Sequence, residues 1–359
     1  VDDFVLGDKQ DIPLASLNGK EFDEEAWDTY LNQFTLDELA SLTADSFGTA
    51  EIPSVGKPAV IAGDGPDGVG GATTKFNEEK YGDGRDDCCY PCENILASTF
   101  NKELLQRRGE LMAEEAMYLG VAQVWMPGVN LHRTPFGGRN FEYYSEDAVM
   151  NYLCVIPEVQ AMEAKGVTAG AKPVAGNDQE NNRQGISVFF NEQAYREGAL
   201  RGCESTVTEG GGMAVMHAFN RLGMTWCSAS EALCTQVLRN EWGFIGQQET
   251  DALDASAADD GYRSHFESSI AAGTNTYCLD FAGVSSRAIA DVIESTDDGY
   301  LLGQLRDSAH YYLYMLANSA IMNGYSVDSR VISVTPWWQP TMYGAVSYTH
   351  LTLPTILRV

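Results

Sequence analysis

Positive charge is what this sequence has least of. Lys and Arg number 23 against 51 Asp and Glu, a formal net charge of -28 over 359 residues. Phosphate recognition needs a basic face, so neither nucleic acid nor an anionic membrane is expected as a partner. The acidity favours a neutral or cationic ligand instead. No apolar run approaches the roughly 20 residues of a membrane-spanning helix. No Gly-x-Gly-x-x-Gly follows the first expected strand. Gly68-Val-Gly-Gly71 is merely glycine-rich, which argues against a dinucleotide site. The group Cys88-Cys89-Tyr-Pro-Cys92 has no second ligand pair after it at a zinc spacing, so neither a metal nor a cofactor is expected. Several of the eight Cys sit in apolar segments, where a reduced thiol behaves as a small hydrophobe. That usage points to a reducing, cytoplasmic setting for a soluble protein of bacterial type.

What is present is a globular composition, 44% hydrophobic and 10% aromatic, with length enough for one large α/β domain. Residues 1–30 read as linker-like and residues 31–330 as the folded body. Residues 331–345 would begin a C-terminal extension, and residues 346–359 read as a non-native tail. Within the body, Thr35-Leu-Asp-Glu38 predicts a capping box opening a short helix. Residues 58–62 predict a strand running into Gly63-Asp64-Gly65-Pro66. Asn101 predicts the cap of a long amphipathic helix closed by Gly120. Strands are expected over 121–126, 167–174, 213–217, 246–250 and 276–279. Helices are expected over 147–165, 191–207, 228–242 (opened by a second box, Ser228-Ala-Ser-Glu231), 260–272, 284–295 and 299–323. About seven strand–loop–helix units suit a (β/α)8 TIM-like barrel better than an open sheet.

In such a barrel the loops after the strands share one face. The loop after 121–126 presents two Arg, a His, two Asn, two Glu and two Tyr, a set of donors and aromatic faces suited to a polyhydroxylated or anionic ligand. The polar residues expected at the strand exits are Asp64, Arg139, Lys172, Arg183, Asn220 and Asp251. Each has a plainer explanation alone: a turn for Asp64, an ion pair for Lys172, a helix cap for Asp251. Together they suit hydrogen bonding to sugar hydroxyls, with one carboxylate left to attack an anomeric carbon.

Several stretches in one order carry a resemblance. They are Asp64-Gly-Pro, Gly128-Val-Asn-Leu-His-Arg, Gly137-Gly-Arg-Asn-Phe-Glu-Tyr-Tyr-Ser-Glu-Asp147, Gly176-Asn-Asp-Gln-Glu-Asn-Asn-Arg183, Phe219-Asn-Arg221 and Leu238-Arg-Asn-Glu-Trp-Gly-Phe-Ile-Gly246. Over roughly residues 35–325 the chain resembles the β-glucosidases of glycoside hydrolase family 3. The resemblance implies that Asp251 is a catalytic nucleophile acting with retention. It implies that Asp64, Arg139, Lys172, Arg183 and Phe219 bind the sugar, an oligosaccharide's or an aryl β-glucoside's terminal β-D-glucosyl unit. It further implies that the acid/base Glu comes from a partner α/β sandwich domain missing from this chain. Glu142, Glu180 and Glu249 have no family warrant for that role.

Three departures stand out. Pro173 follows Lys172 where the family has His, Phe219 stands where it commonly has Tyr, and Ala252 follows the expected nucleophile where Trp is frequent. Trp242 or Trp226 is expected nearby in compensation. The cationic neighbours are expected to lower the pKa of Asp251. A catalytically impaired sugar-binding barrel and a phosphate-binding barrel are the other readings, the last disfavoured by the net charge. Self-association is left open.

Overall fold

The computed structural model of the protein describes residues 5–45, 47–70, 88–253, 266–278, 286–296 and 299–322. Among these residues the strands are β1 (Ala44–Asp45), β2 (Ala62–Asp64), β3 (Gln123–Trp125), β4 (Thr168–Val174), β5 (Ser187–Val188), β6 (Ala214–His217), β7 (Arg221–Leu222), β8 (Thr225–Trp226), β9 (Gln247–Glu249) and β10 (Tyr277–Cys278). Five run parallel in the order β2-β3-β4-β6-β9, and β1 pairs in parallel with β10. A parallel bridge between Glu249 and Thr276 joins the two groups. On the other side Ala62 N–H donates to Phe47 O at 2.8 Å, and Thr49 and Val60 exchange backbone bonds of 3.1 and 2.9 Å. Seven parallel strands in cyclic order, with helices between them, make a TIM-like (β/α)8-type barrel.

Local sequence explains most of the helices. The Leu36–Thr43 helix begins with the expected capping box: Thr35 Oγ1 accepts from Glu38 N, and Glu38 Oε2 accepts from Thr35 N at 2.8 Å. Such a cap contributes about 1 kcal/mol. Asn101 Oδ1 caps the Lys102–Leu119 helix, which Gly120 ends at φ 77°, a left-handed conformation that costs glycine little. Asp147 Oδ1 accepts from Met150 N at 2.8 Å to open the Ala148–Glu163 helix. These two helices pack side by side, and the second also packs on the Arg201–Thr208 helix, burying Met112, Ala113, Val155, Val159 and Cys203 against β3, β4 and β6. A second apolar cluster sits where the Gly299–Ala317 helix meets the Leu36–Thr43 and Phe266–Ala272 helices. Among the described residues no helix is long and apolar enough to cross a membrane.

Three expectations need correction. The first strand lies at 62–64 rather than 58–62, because residues near Val60 pair antiparallel with the segment at Thr49 and only residues 62–64 reach β3. The helix expected over 191–207 is Glu192–Ala194, a π-helical Tyr195–Ala199 and Arg201–Thr208. The second capping box is not formed. Ser228 falls in a 3-10 turn (Cys227–Ala229), and Ser230 Oγ accepts from Leu233 N at 3.4 Å ahead of a π-helical Ala232–Glu241. The three-stranded sheet β5-β7-β8 has no signature in the sequence, since two-residue strands are too short to show a period. The start of the helix expected over 260–272, residue 279 of the last expected strand, and residues 331–345 and 346–359 lie outside the described residues.

Pro173 sits inside β4, where an N–H is missing from the ladder. The pairing of β4 with β6 shifts register between Ala171 and Val174, the kind of irregularity at which a sheet interior tolerates proline.

Candidate active site

The expected site residues come from different elements and meet in one cleft. Asp64 is the last residue of β2, Lys172 lies near the end of β4, and Asp251 stands two residues beyond β9. Arg139 comes from the loop after β3, Arg183 from the loop after β4, and Phe219 from the loop after β6. All six line a cavity of about 340 Å³ at the exits of the parallel strands, together with Trp125, Glu142, Pro173, Met216, Glu249 and Ala252 among others.

One wall is a chain of ion pairs. Lys172 Nζ donates to Asp64 Oδ1 at 2.5 Å and stands 3.4 Å from Glu142 Oε1. Arg139 grips Glu142 with two parallel bonds of 2.6 Å, Nε to Oε2 and Nη2 to Oε1. That fork-to-fork geometry is the strongest arrangement open to a guanidinium and a carboxylate. Burial works against the Lys172 ammonium, but Asp64 and Glu142 outweigh it and raise its pKa. Burial likewise disfavours the Glu142 carboxylate, yet Lys172 and Arg139 overcome it and hold its pKa below the usual range. Both residues are therefore fixed in their charged forms near neutrality. The plain ion-pair explanation for Lys172 is correct, and it coexists with a place in the cleft.

Across the cleft Asp251 is held differently. Its Oδ1 accepts from the Ala252 backbone N–H at 2.8 Å. Burial pushes its pKa up, and the opposing pulls of that N–H and of Arg183, Arg139 and Lys172 do not cancel the push. The expected lowering is thus overturned. The cations act at a distance, and a Coulomb term that falls with separation loses to desolvation.

Arg183 lies with its guanidinium carbon 4.5 Å from the centre of the Phe219 ring, so Phe219 supports an arginine. Asn220, also expected at the rim, is fully buried and donates through Nδ2 to Ala175 O at 3.1 Å, bracing the turn after β4. The tryptophan lining the cleft is Trp125 of β3, not Trp226 or Trp242. Trp226 is buried in the apolar core, and Trp242 packs against the other core cluster. Gly170 of β4 makes room for Trp125, since a Cβ there would collide with the indole. The carbonyl of Pro173 accepts from Asn130 Nδ2 at 2.8 Å, which ties β4 to the loop after β3.

A buried charged group underlies two of these loops. Arg108 pairs with Glu158 and donates to Pro66 O in the turn after β2, and it stands 3.4 Å from Asp67 Oδ1. Glu93 accepts from Gly128 N at 3.0 and 3.2 Å, pinning the start of the loop after β3. Tyr144 donates to Glu158 from that loop's far end. In the sequence Glu142 and Glu249 are only two available carboxylates among many, and nothing in their local pattern marks the cleft. Glu249, the last residue of β9, is buried and accepts through Oε2 from Gln247 Nε2 at 2.7 Å and Thr276 Oγ1 at 2.9 Å.

A parallel barrel with a carboxylate- and guanidinium-lined cleft at its strand exits is an enzyme-like architecture able to hold a polyhydroxylated ring. Residues 68–308 match the model of the glycosyl hydrolase family 3 N-terminal domain, and the chain belongs to that family. It is 34% identical over 226 residues to a β-glucosidase of Rhizobium radiobacter, covering 62% of this chain and 27% of that one. A β-glucosidase of Kluyveromyces marxianus is 34% identical over 233 residues, 64% of this chain and 26% of that protein. Among solved structures, β-glucosidase 3B from Thermotoga neapolitana in complex with glucose superposes with a TM-score of 0.74 at 30% identity, covering 84% of this chain and 44% of that one. The chain thus spans about a quarter of the length of these curated relatives.

Proposed function

We propose that this chain is the nucleophile-bearing barrel of a retaining glycoside hydrolase that releases terminal β-D-glucosyl units from oligosaccharides or aryl β-glucosides. The observation that carries the reading is that Asp251 lines one cleft at the barrel's strand exits together with a set of charged hydrogen-bonding groups. Asp64, Arg139, Lys172 and Arg183 would hold the hydroxyls of the terminal sugar, with Trp125 as the apolar surface beneath it. Asp251 attacks the anomeric carbon as the glycosidic C–O bond breaks, giving a covalent glycosyl ester. Water then cleaves that ester from the opposite side, so the anomeric configuration is kept.

The departing oxygen needs a proton, and Glu142 is a poor source because its two cations hold it ionised. The proton is assigned to a Glu outside this barrel, with residues 31–330 as the barrel, Leu14, Leu17, Trp27 and Tyr30 of the segment before it packed into its core, and residues 331–345 as the start of a further segment. Family membership and relatives described as β-glucosidases, some solved with glucose, support the substrate class.

The test is covalent trapping by a 2-deoxy-2-fluoro-β-glucoside with an activated leaving group, a step that hardly needs the acid. The expected result is one added fluoroglucosyl per chain, mapped by peptide mass spectrometry to Asp251. A label on another residue overturns the assignment. A second reading, a sugar-binding barrel impaired in catalysis, draws support from Phe219 and Ala252, which bring no polar side-chain group to the cleft. Calorimetric glucose binding without any trapping would select it.

A further inference from the structure

We infer that Glu180 is the positioning residue that sets Arg183, and through it the grip on the sugar; this rests on the glycosidase reading of the cleft. Glu180 is not among the residues lining the cavity, but its carboxylate lies between two guanidinium groups that are. Its Oε2 is 3.0 Å from Arg183 Nη1, and its Oε1 is 3.7 Å from Arg139 Nη1. The carboxylate is aimed from behind. Asn177, buried at 2% exposure, donates from Nδ2 to Glu180 Oε1 at 2.8 Å and to Tyr143 Oη at 3.1 Å. The Asn177 backbone N–H in turn donates to Asn130 Oδ1 at 3.0 Å, and Asn130 holds the Pro173 carbonyl beside Lys172. A continuous relay therefore runs from β4 to Glu180.

The two arginines depend on Glu180 to different degrees. Arg139 has its bidentate bond to Glu142 and keeps that anchor whatever happens at Glu180. Arg183 is held by Glu180 and by the face of Phe219. A ring face fixes the plane of a guanidinium but not its rotation within that plane, whereas a carboxylate 3.0 Å from one nitrogen favours the rotation that brings that nitrogen toward it. Gly138 lies close against the Glu180 side chain, where a Cβ would come within 3.2 Å of Glu180 Cγ.

Glu180→Gln keeps the shape and removes the charge. With glucose as the probe, isothermal titration of this variant is expected to show binding weakened by up to about fivefold, the scale of one partly exposed ion pair. Arg183→Ala should lose at least as much, and the double variant should lose no more than Arg183→Ala alone. The rate of fluoroglucoside trapping at saturation should change little, so the effect falls on affinity. In the ligand-free protein, 15N spectra of the guanidinium groups should show restricted rotation at Arg183 that Glu180→Gln abolishes, while Arg139 is unaffected. Unaltered glucose affinity in Glu180→Gln, additive losses in the double variant, or unchanged Arg183 spectra would each overturn the assignment. If the parent chain binds no glucose, the glycosidase reading fails, and the guanidinium spectra still decide whether Glu180 fixes Arg183.

Discussion

The two walls of the cleft carry the same kinds of charge to opposite ends. On the wall built from β2, β4 and the loop after β3, Glu142 has two cations in contact, Arg139 at 2.6 Å and Lys172 at 3.4 Å. On the wall at the end of β9, Asp251 takes its hydrogen bond from the next residue's N–H and feels the same cations only from a distance. The first carboxylate sits below its usual pKa and the second above it. Contact is what separates them. A carboxylate in a fork-to-fork pair has spent its bonding capacity and serves as scaffold. A carboxylate desolvated without a contacting cation keeps a drive toward a proton or an electrophilic carbon.

The sharpest way to break this contrast is to remove the reactive member. Asp251→Asn should lower the fluoroglucoside trapping rate on the order of 10³-fold or more, as expected for loss of a nucleophile. Thermal unfolding should not move down, because the buried acid it replaces gains nothing from ionising. Trapping within tenfold of the parent would place the nucleophile elsewhere.

Lys172→Met attacks the scaffold wall instead. It strips Asp64 of the ammonium 2.5 Å away and leaves Glu142 with Arg139 alone. Stability measured by urea unfolding should fall by about 2 kcal/mol, below the range for a fully buried pair, because Glu142 keeps its guanidinium and Asp64 is half exposed. Glucose binding should drop by about tenfold or more with it. Unchanged stability would show that the pair is held by the backbone around it.

Much of this is legible in the chain. Alternating strands and helices imply the barrel, and the caps at Thr35 and Asn101 lie where their side chains predict. Strand exits bring Asp64, Lys172 and Asp251 to one face, because parallel strands align their C-terminal ends whatever the loops do. The hidden part depends on contacts between distant segments. Glu142 and Glu180 each pair with an arginine three residues away, a spacing common in so charged a chain, and their places beside the cleft come from the distant Lys172 and Arg139 respectively. Sequence alone points to Trp226 or Trp242 as the cleft tryptophan, but barrel interiors are filled from neighbouring strands, and Trp125 comes from β3. The pKa of Asp251 escapes the sequence for the same reason. Proximity of cations can be expected from the pattern, but the balance between distance and burial cannot.

That balance yields the smallest and most discriminating effect. Trapping needs ionised Asp251, so its saturating rate should fall with decreasing pH through a midpoint above the free aspartate value of about 3.9. Lys172 is one of the charges opposing the upward push, so Lys172→Met should move the midpoint higher still. The stability consequences run in opposite senses for the two walls. Asp251, with a raised folded-state pKa, favours the folded chain below about pH 3.9 and loses that contribution as pH rises through its folded value. Glu142, with a lowered one, contributes above about pH 4.3 and loses its contribution as pH falls through its folded value. The stability difference between the parent and Asp251→Asn should therefore shift against the parent as pH rises from 3 toward neutrality. A midpoint at or below that of free aspartate would mean that the cations reach Asp251 more closely than the cleft geometry places them, and a downward shift in Lys172→Met would mean that Lys172 does not favour the ionised form.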